Sequence, residues 1–289
     1  MRSIGVVVTE RVAAGVVEDG RVVGGIQCDP AQSLLDLPSQ ELVGSLANVI
    51  QSLAAGQPVD AVGVAFPGII RGGVIEESPN LQQLKGLRAE ESLRAALSAL
   101  GIQARVAIFN DADVVAAGIA AQHDRLDRTV RVWTLGYGIG FGHYPPGDAV
   151  WEGGHTVVSL DPAEKFCRCG GRGHVEGIMG HRAMRPRFLD REPEEVFGAA
   201  KAGGDPLCIE FVLLWHRALA AATATSIHLE GAGKFYITGM NARFVNLNLL
   251  NRCVQEMVKM SPLLGHSFEL VDRSDEIAVL GAAVNALRS

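Results

Sequence analysis

Between Trp151 and Glu176 the chain reads WEGGHTVVSLDPAEKFCRCGGRGHVE, its densest gathering of potentially reactive side chains. His155, Cys167, Cys169 and His174 offer four nitrogen or sulfur donors, and two carboxylates, Glu152 and Glu176, bracket them. Two thiolates with two imidazoles make a common tetrahedral zinc set. Gly170, Gly171 and Gly173 permit the tight turns that would bring Cys167, Cys169 and His174 onto one centre. A glycine-rich surface loop with incidental cysteines would need neither the close thiol spacing nor the returning histidine. The pattern therefore predicts a closed structural zinc knuckle whose flanking carboxylates face something else.

A second candidate is Asn110-Asp111, where the apolar strand RVAIFN (105–110) gives way to an alanine-rich helix over 112–122. Open α/β sheets present ligand-handling groups at the carboxyl ends of their strands. An Asp there is a candidate acid–base group and equally a plain helix N-cap. Further on, VRVWTLGYGIGFGHY places Gly136, Gly138, Gly140 and Gly142 at alternate positions. Such a repeat bares one face to a ligand or another backbone, and it resembles a phosphate-handling loop. His216 and His228 lie on a mostly apolar helix (206–229) and read as packed or surface histidines, not ligands.

The elements that must position these residues are legible from apolar patterning. Segments 4–8, 12–19 and the following RVVGGIQ read as an antiparallel meander. A helix is predicted within 31–55, a buried strand over 59–66, a hairpin in RGGVIEESPNL and a helix over 89–100. After the knuckle come short charged helices (181–201), the long apolar helix, a strand over 234–239, a helix over 244–260, a strand FELVDR and a closing small-residue helix. Two rounds of strands followed by helices predict an α/β protein of two lobes with a cleft between them. The smaller lobe would span 1–110, completed by the last helix (277–289), and the larger 111–276.

Composition narrows the function classes. The 289 residues are 48% hydrophobic and 20% charged, with a formal net charge of −6. An acidic balance without a basic footprint argues against a nucleic-acid partner. No apolar run stands out as a membrane span, so no membrane partner is expected. Five cysteines, two of them in the knuckle and Cys28, Cys208 and Cys253 scattered, suit a reducing, cytoplasmic setting.

Taken in order, FPG (66–68), PN (79–80), ND (110–111), LGxGIGxG (135–142), ExGH (152–155), CxCGxxG-(H)-xE (167–176) and LGAA (280–283) resemble the ROK family of sugar kinases and sugar-sensing repressors. The resemblance runs over nearly the whole chain. It implies the two-lobed actin-like ATPase, or hexokinase (ribonuclease H-like), fold with a zinc knuckle, and a homodimer. It also implies that Gly68, Asn80, Asn110, Glu152, His155 and Glu176 belong to the sugar site. Carboxylates accept from hydroxyls and Asn can both donate and accept, which suits a polyol. His155 would serve twice, one ring nitrogen on zinc and the other on a hydroxyl. Asp111 matches the general base that takes the proton of the attacking hydroxyl. ATP and Mg2+ would be the donor and its ion, met by Thr9, Gly136, Gly138 and Gly239.

The departures fall on the donor side. Where the family has an Asp-x-Gly-Gly-Thr type loop, this chain reads VVVTERVAAG, with Val7 at the acidic position and Glu10 and Arg11 beyond Thr9. Tyr137 replaces a small hydroxyl residue, Thr238-Gly239-Met240-Asn241 replaces a Gly-Gly-Gly type turn, and His174 replaces the third cysteine of the knuckle. Backbone N–H groups cradle phosphate only at close range, so this substitution predicts a degenerate nucleotide site. Three functions follow: a sugar kinase, a sugar-binding sensor or partner subunit without transfer activity, and another sugar-directed enzyme using the retained carboxylates. Family repressors carry an N-terminal helix-turn-helix, and this chain starts at its first strand, so a DNA-binding repressor is not expected.

Overall fold

Alternation explains the first sheet. In the computed structural model, which describes residues 1–9, 11–30, 37–78, 81–147, 151–260, 265, 267–272 and 274–289, β1 (Arg2–Val8), β2 (Arg11–Glu18) and β3 (Arg21–Pro30) form the expected antiparallel meander. After α1 (Ser39–Ala54), β4 (Ala61–Phe66) pairs parallel with β1. The hairpin β5 (Ile69–Arg71) and β6 (Val74–Glu77) and the helix α2 (Ala89–Ala99) lead to β7 (Arg105–Asn110), parallel to β4. The strand order is β3-β2-β1-β4-β7. Ile4, Val6 and Val8 share one face with Leu42, Leu46 and Ile50 of α1 and Leu93 and Leu97 of α2. Side chains of a strand alternate between faces, so Val7 points the other way.

That other face is covered by two helices, α3 (Asp111–Gln122) and the last one. Next along the chain, β8 (Val130–Leu135) and β9 (Ile139–Tyr144) precede the knuckle. The short helices α4 (Val175–Met179), α5 (His181–Arg187) and α6 (Pro193–Ala202) follow it. Then come α7 (Pro206–Glu230), β10 (Lys234–Thr238), α8 (Leu247–Met257), β11 (Ser267–Leu270) and α9 (Asp275–Arg288). The second sheet has the order β11-β10-β8-β9. Its core gathers Trp133, Phe141, Phe235 and Ile237 with Phe211, Trp215 and Leu219 of α7 and Leu250 and Val254 of α8.

The chain divides into one unit of 1–131, 142–151 and 274–289 and another of 132–141 and 152–273. Residues 111–131 and the last helix fall in the first unit. The reason is α3, whose Val114 packs with Val7, Ala65, Ala278, Val279 and Ala282. Close approach makes this possible. A Cβ on Gly63 would lie 1.9 Å from the Ala282 carbonyl oxygen, and one on Gly281 would lie 1.7 Å from that of Val114.

One composition reading is corrected. Among the described residues α7, with 25 residues, is long and apolar enough to cross a membrane by length and composition. Its apolarity has another cause: Trp215, Leu219, Ala220 and Ile227 are buried in the second core.

Candidate functional site

The knuckle donors converge in the second unit. The ligand atoms of His155, Cys167, Cys169 and His174 all lie within 4.8 Å of one another. The two sulfurs are 3.3 Å apart, and Cys169 Sγ is 3.2 Å from His174 Nδ1. A tetrahedron built on Zn–S bonds of about 2.3 Å and Zn–N bonds of about 2.0 Å has edges of roughly 3.3–3.8 Å. The donor set suits a zinc ion, and its two closest pairs, Cys167–Cys169 and Cys169–His174, already stand near such an edge. The His155 and His174 rings stack with centroids 5.2 Å apart. Backbone turns deliver the donors: Val158 N donates to the Gly173 carbonyl at 2.7 Å, and Gly173 N to that of Glu164 at 2.7 Å. Gly171 is sterically required, since a Cβ there would meet the His174 ring at 2.1 Å.

Without an ion the local electrostatics oppose ionised ligands. Burial pushes the Cys167 thiol up to about 12. Burial, then the neighbouring His155, lowers the His174 imidazole. Desolvation likewise raises the Glu152 carboxyl, with His155 pulling it down and Glu176 pushing it up. A divalent cation would oppose the thiol shift by favouring thiolate and act with the imidazole shift by favouring the neutral ring.

The two bracketing carboxylates have different duties. Glu152 is partly exposed, with Oε2 3.7 Å from His155 Nδ1. Glu176, on α4, is tied to the glycine turn between β8 and β9: its Oε2 accepts from Ile139 N at 2.9 Å. Its Oε1 lies 3.7 Å from Cys167 Sγ. Glu176 thus links the knuckle to the turn carrying Gly136 and Gly138, a connection no sequence spacing revealed.

That turn is held from behind. The Gly136 carbonyl accepts from His181 N at 3.1 Å and from Asn241 Nδ2 at 3.3 Å, while Asn241 N donates to Leu135 O at 2.9 Å. Gly239 stands next to it at φ +105, so the TGMN turn does contact the glycine loop. Tyr137 is 41% exposed at the tip, its ring edge-on to His181 and under the Arg182 guanidinium at 5.2 Å.

In the first unit, Asn110 takes the cap that could equally have fallen to Asp111. Asn110 Oδ1 accepts from Ala112 N at 2.8 Å, and its Nδ2 donates to the Gly68 carbonyl at 2.8 Å. Asp111 is thereby left as the first residue of α3. The Nδ2 bond brings Gly68 and Asn110 together; Asn80, like Glu10, lies outside the described residues. Thr9 sits in the β1–β2 turn, where its N–H donates to the Arg11 carbonyl at 3.1 Å. Val7 is packed in the core, and Arg11 is ion-paired with Asp275 of α9.

Sequence reasoning missed Arg187 and Glu164. They form a bidentate pair beneath the knuckle, and an Arg at the end of one short helix carries no sequence signal of its partner.

A model of the ROK family matches residues 7–288. A glucokinase of Aeropyrum pernix is 30% identical over 287 residues, covering 84% of this chain and 86% of the relative. A glucokinase of Pyrobaculum calidifontis is 26% identical over 257 residues, 83% of each chain. Among solved structures, a ROK hexokinase from Thermus thermophilus superimposes with a TM-score of 0.80 at 23% identity, covering 100% of this chain and 98% of that one. This last likeness shows the actin-like hexokinase fold.

Proposed function

The chain belongs to the ROK family, and on that premise we propose that it is a sugar kinase moving a phosphoryl group from ATP to a hydroxyl of a hexose or hexose-like sugar. The observation that carries this reading is the convergence of His155, Cys167, Cys169 and His174 with Glu152 and Glu176 at its edge. A structural Zn2+ held by those four donors would fix the tautomer and aim of His155 and hold the loop closed. Asn80, Asn110, Glu152, His155 and Glu176 then orient the sugar hydroxyls, with the Gly68 carbonyl already engaged by Asn110. Asp111 would accept the proton of the attacking oxygen as that oxygen bonds to the γ-phosphorus, whose bond to the β–γ bridging oxygen breaks to release ADP. ATP with Mg2+ would be met by the glycine turn at Gly136 and Gly138, with Thr9 on the first phosphate loop and Gly239 on the adenosine side. We place the protein in the cytoplasm as a homodimer.

One observation favours a second reading, a sugar-binding protein that does not transfer phosphate. Val8 pairs with Val12 at the end of an antiparallel hairpin, Thr9 N donates to the Arg11 carbonyl, and Arg11 is bound to Asp275. Such a hairpin offers little backbone N–H to a phosphate.

Titration calorimetry with ATP–Mg2+ and candidate hexoses, beside a coupled turnover assay, separates the two. A kinase binds both and turns over, and Asp111→Asn lowers kcat by about 10²–10⁴-fold while sugar affinity persists. Sugar binding without ATP binding at millimolar nucleotide would leave only the second reading.

A further inference from the structure

We propose that Arg187 is a positioning residue, a clasp that assembles the zinc loop and Glu176 before any metal arrives. The inference deepens the sugar-site reading and rests on it only for its effect on sugar.

Arg187 ends α5, and its guanidinium and the Glu164 carboxylate are 16% and 11% exposed. Nη1 donates to Glu164 Oε1 at 3.0 Å and Nη2 to Oε2 at 2.5 Å, a two-point contact. Nη2 also donates to the Gly177 carbonyl at 3.3 Å. The guanidinium lies 4.3 Å from the Phe166 ring centroid and 5.5 Å from that of Phe211, which fixes its plane.

The partners explain the role. Glu164 lies just upstream of Cys167, and its own carbonyl receives Gly173 N at 2.7 Å. Gly177 directly follows Glu176, just downstream of His174. One side chain therefore grips both ends of the segment that contributes Cys167, Cys169, His174 and Glu176. Net stability is a weak reason for such a pair, because desolvating two charges offsets most of their attraction. Holding several donors in one geometry is a stronger reason, since each ordered residue otherwise costs conformational entropy when the ion binds. Lysine cannot replace the planar two-point contact.

The test uses the full chain and three variants, Arg187→Met, Arg187→Lys and Glu164→Gln. Zinc affinity is measured by competition with a chromophoric chelator, thiol access by maleimide labelling of metal-free protein, and sugar use by KM and kcat. We expect zinc affinity to fall about 10–100-fold, Cys167 to label faster, and the hexose KM to rise with kcat little changed. Arg187→Lys should resemble Arg187→Met, because charge alone does not restore the clasp. Zinc affinity and Cys167 labelling within about twofold of wild type in folded variants would overturn the proposal. Should Arg187→Met fail to fold, Glu164→Gln, which keeps the side-chain volume, is judged by the same two measurements. A wild-type protein that binds zinc but no hexose would sink the sugar-kinase reading and leave the clasp to stand or fall on zinc and labelling alone.

Discussion

Glu176 shows how much one carboxylate can be asked to do. Its Oε2 is held by Ile139 N, and a Cβ on Gly138 would lie 2.5 Å from that same oxygen. Gly138→Ala must therefore push the carboxylate off the turn and strip the Ile139 N–H of its partner. Losing a hydrogen bond to a charged group costs about 1.5–3 kcal/mol of stability, and the displaced Glu176 should also weaken hexose binding in calorimetry. Gly136→Ala is the control: the nearest atom to a Cβ there is 3.9 Å away, and sugar affinity should hardly change. Equal losses in both variants would show that Glu176 is not the cause. The sequence exposed the thiol spacing and the bracketing carboxylates because metal ligation leaves a pattern in one dimension. It could not assign the α3 cap between Asn110 and Asp111, since both residue types cap equally well. Nor could it show that Glu176 holds a backbone N–H, because that partner lies on a different strand.

Among the elements, α7 and α8 are joined through a histidine that the sequence left as a plain packed residue. His216 is 1% exposed; its Nδ1 is 2.7 Å from the Val212 carbonyl, and Asn246 N donates to its Nε2 at 2.9 Å. This pairing requires the neutral ring, with Nδ1 donating and Nε2 accepting. Burial lowers the pKa of His216 in the fold, opposed in part by the Val212 carbonyl. Its contribution to stability is complete above the unfolded value of about 6.5 and is lost as pH falls through the lower folded value. Thermal melts between pH 7.5 and 5 should show wild type losing stability faster than His216→Gln, by up to about 1.4 kcal/mol per pH unit. Parallel pH profiles would remove His216 from the explanation. The order and type of elements were otherwise readable, because β1, β4 and β7 are short apolar strands and α1 and α2 bury one stripe each. The apolar α7 was harder to place, since a helix buried on several faces loses its periodicity.

At the scale of the molecule, each unit has its own sheet and its own core. The alanine-rich α3 gives no sign in the sequence of which sheet it covers. It packs with α9 on the first. The four donors of the proposed zinc knuckle belong wholly to the second unit, whose core also holds Trp133 and Trp215. Purified protein should therefore carry about one zinc per chain. Stripping it with a chelator leaves the Cys167 thiol, pushed up to about 12, protonated and without its charged partner. An ion present at a thousand times its Kd stabilises the folded state by about 4 kcal/mol, so removal should lower the melting midpoint and release the hold on His155. The loss should appear in hexose affinity measured by calorimetry, and readdition of Zn2+ should restore both. Because α7 and the second sheet pack without the ion, far-ultraviolet dichroism should change little. Zinc-free protein with full hexose affinity would mean that the four donors do not shape the sugar site, and the role of His155 as a bridge between metal and hydroxyl would be wrong.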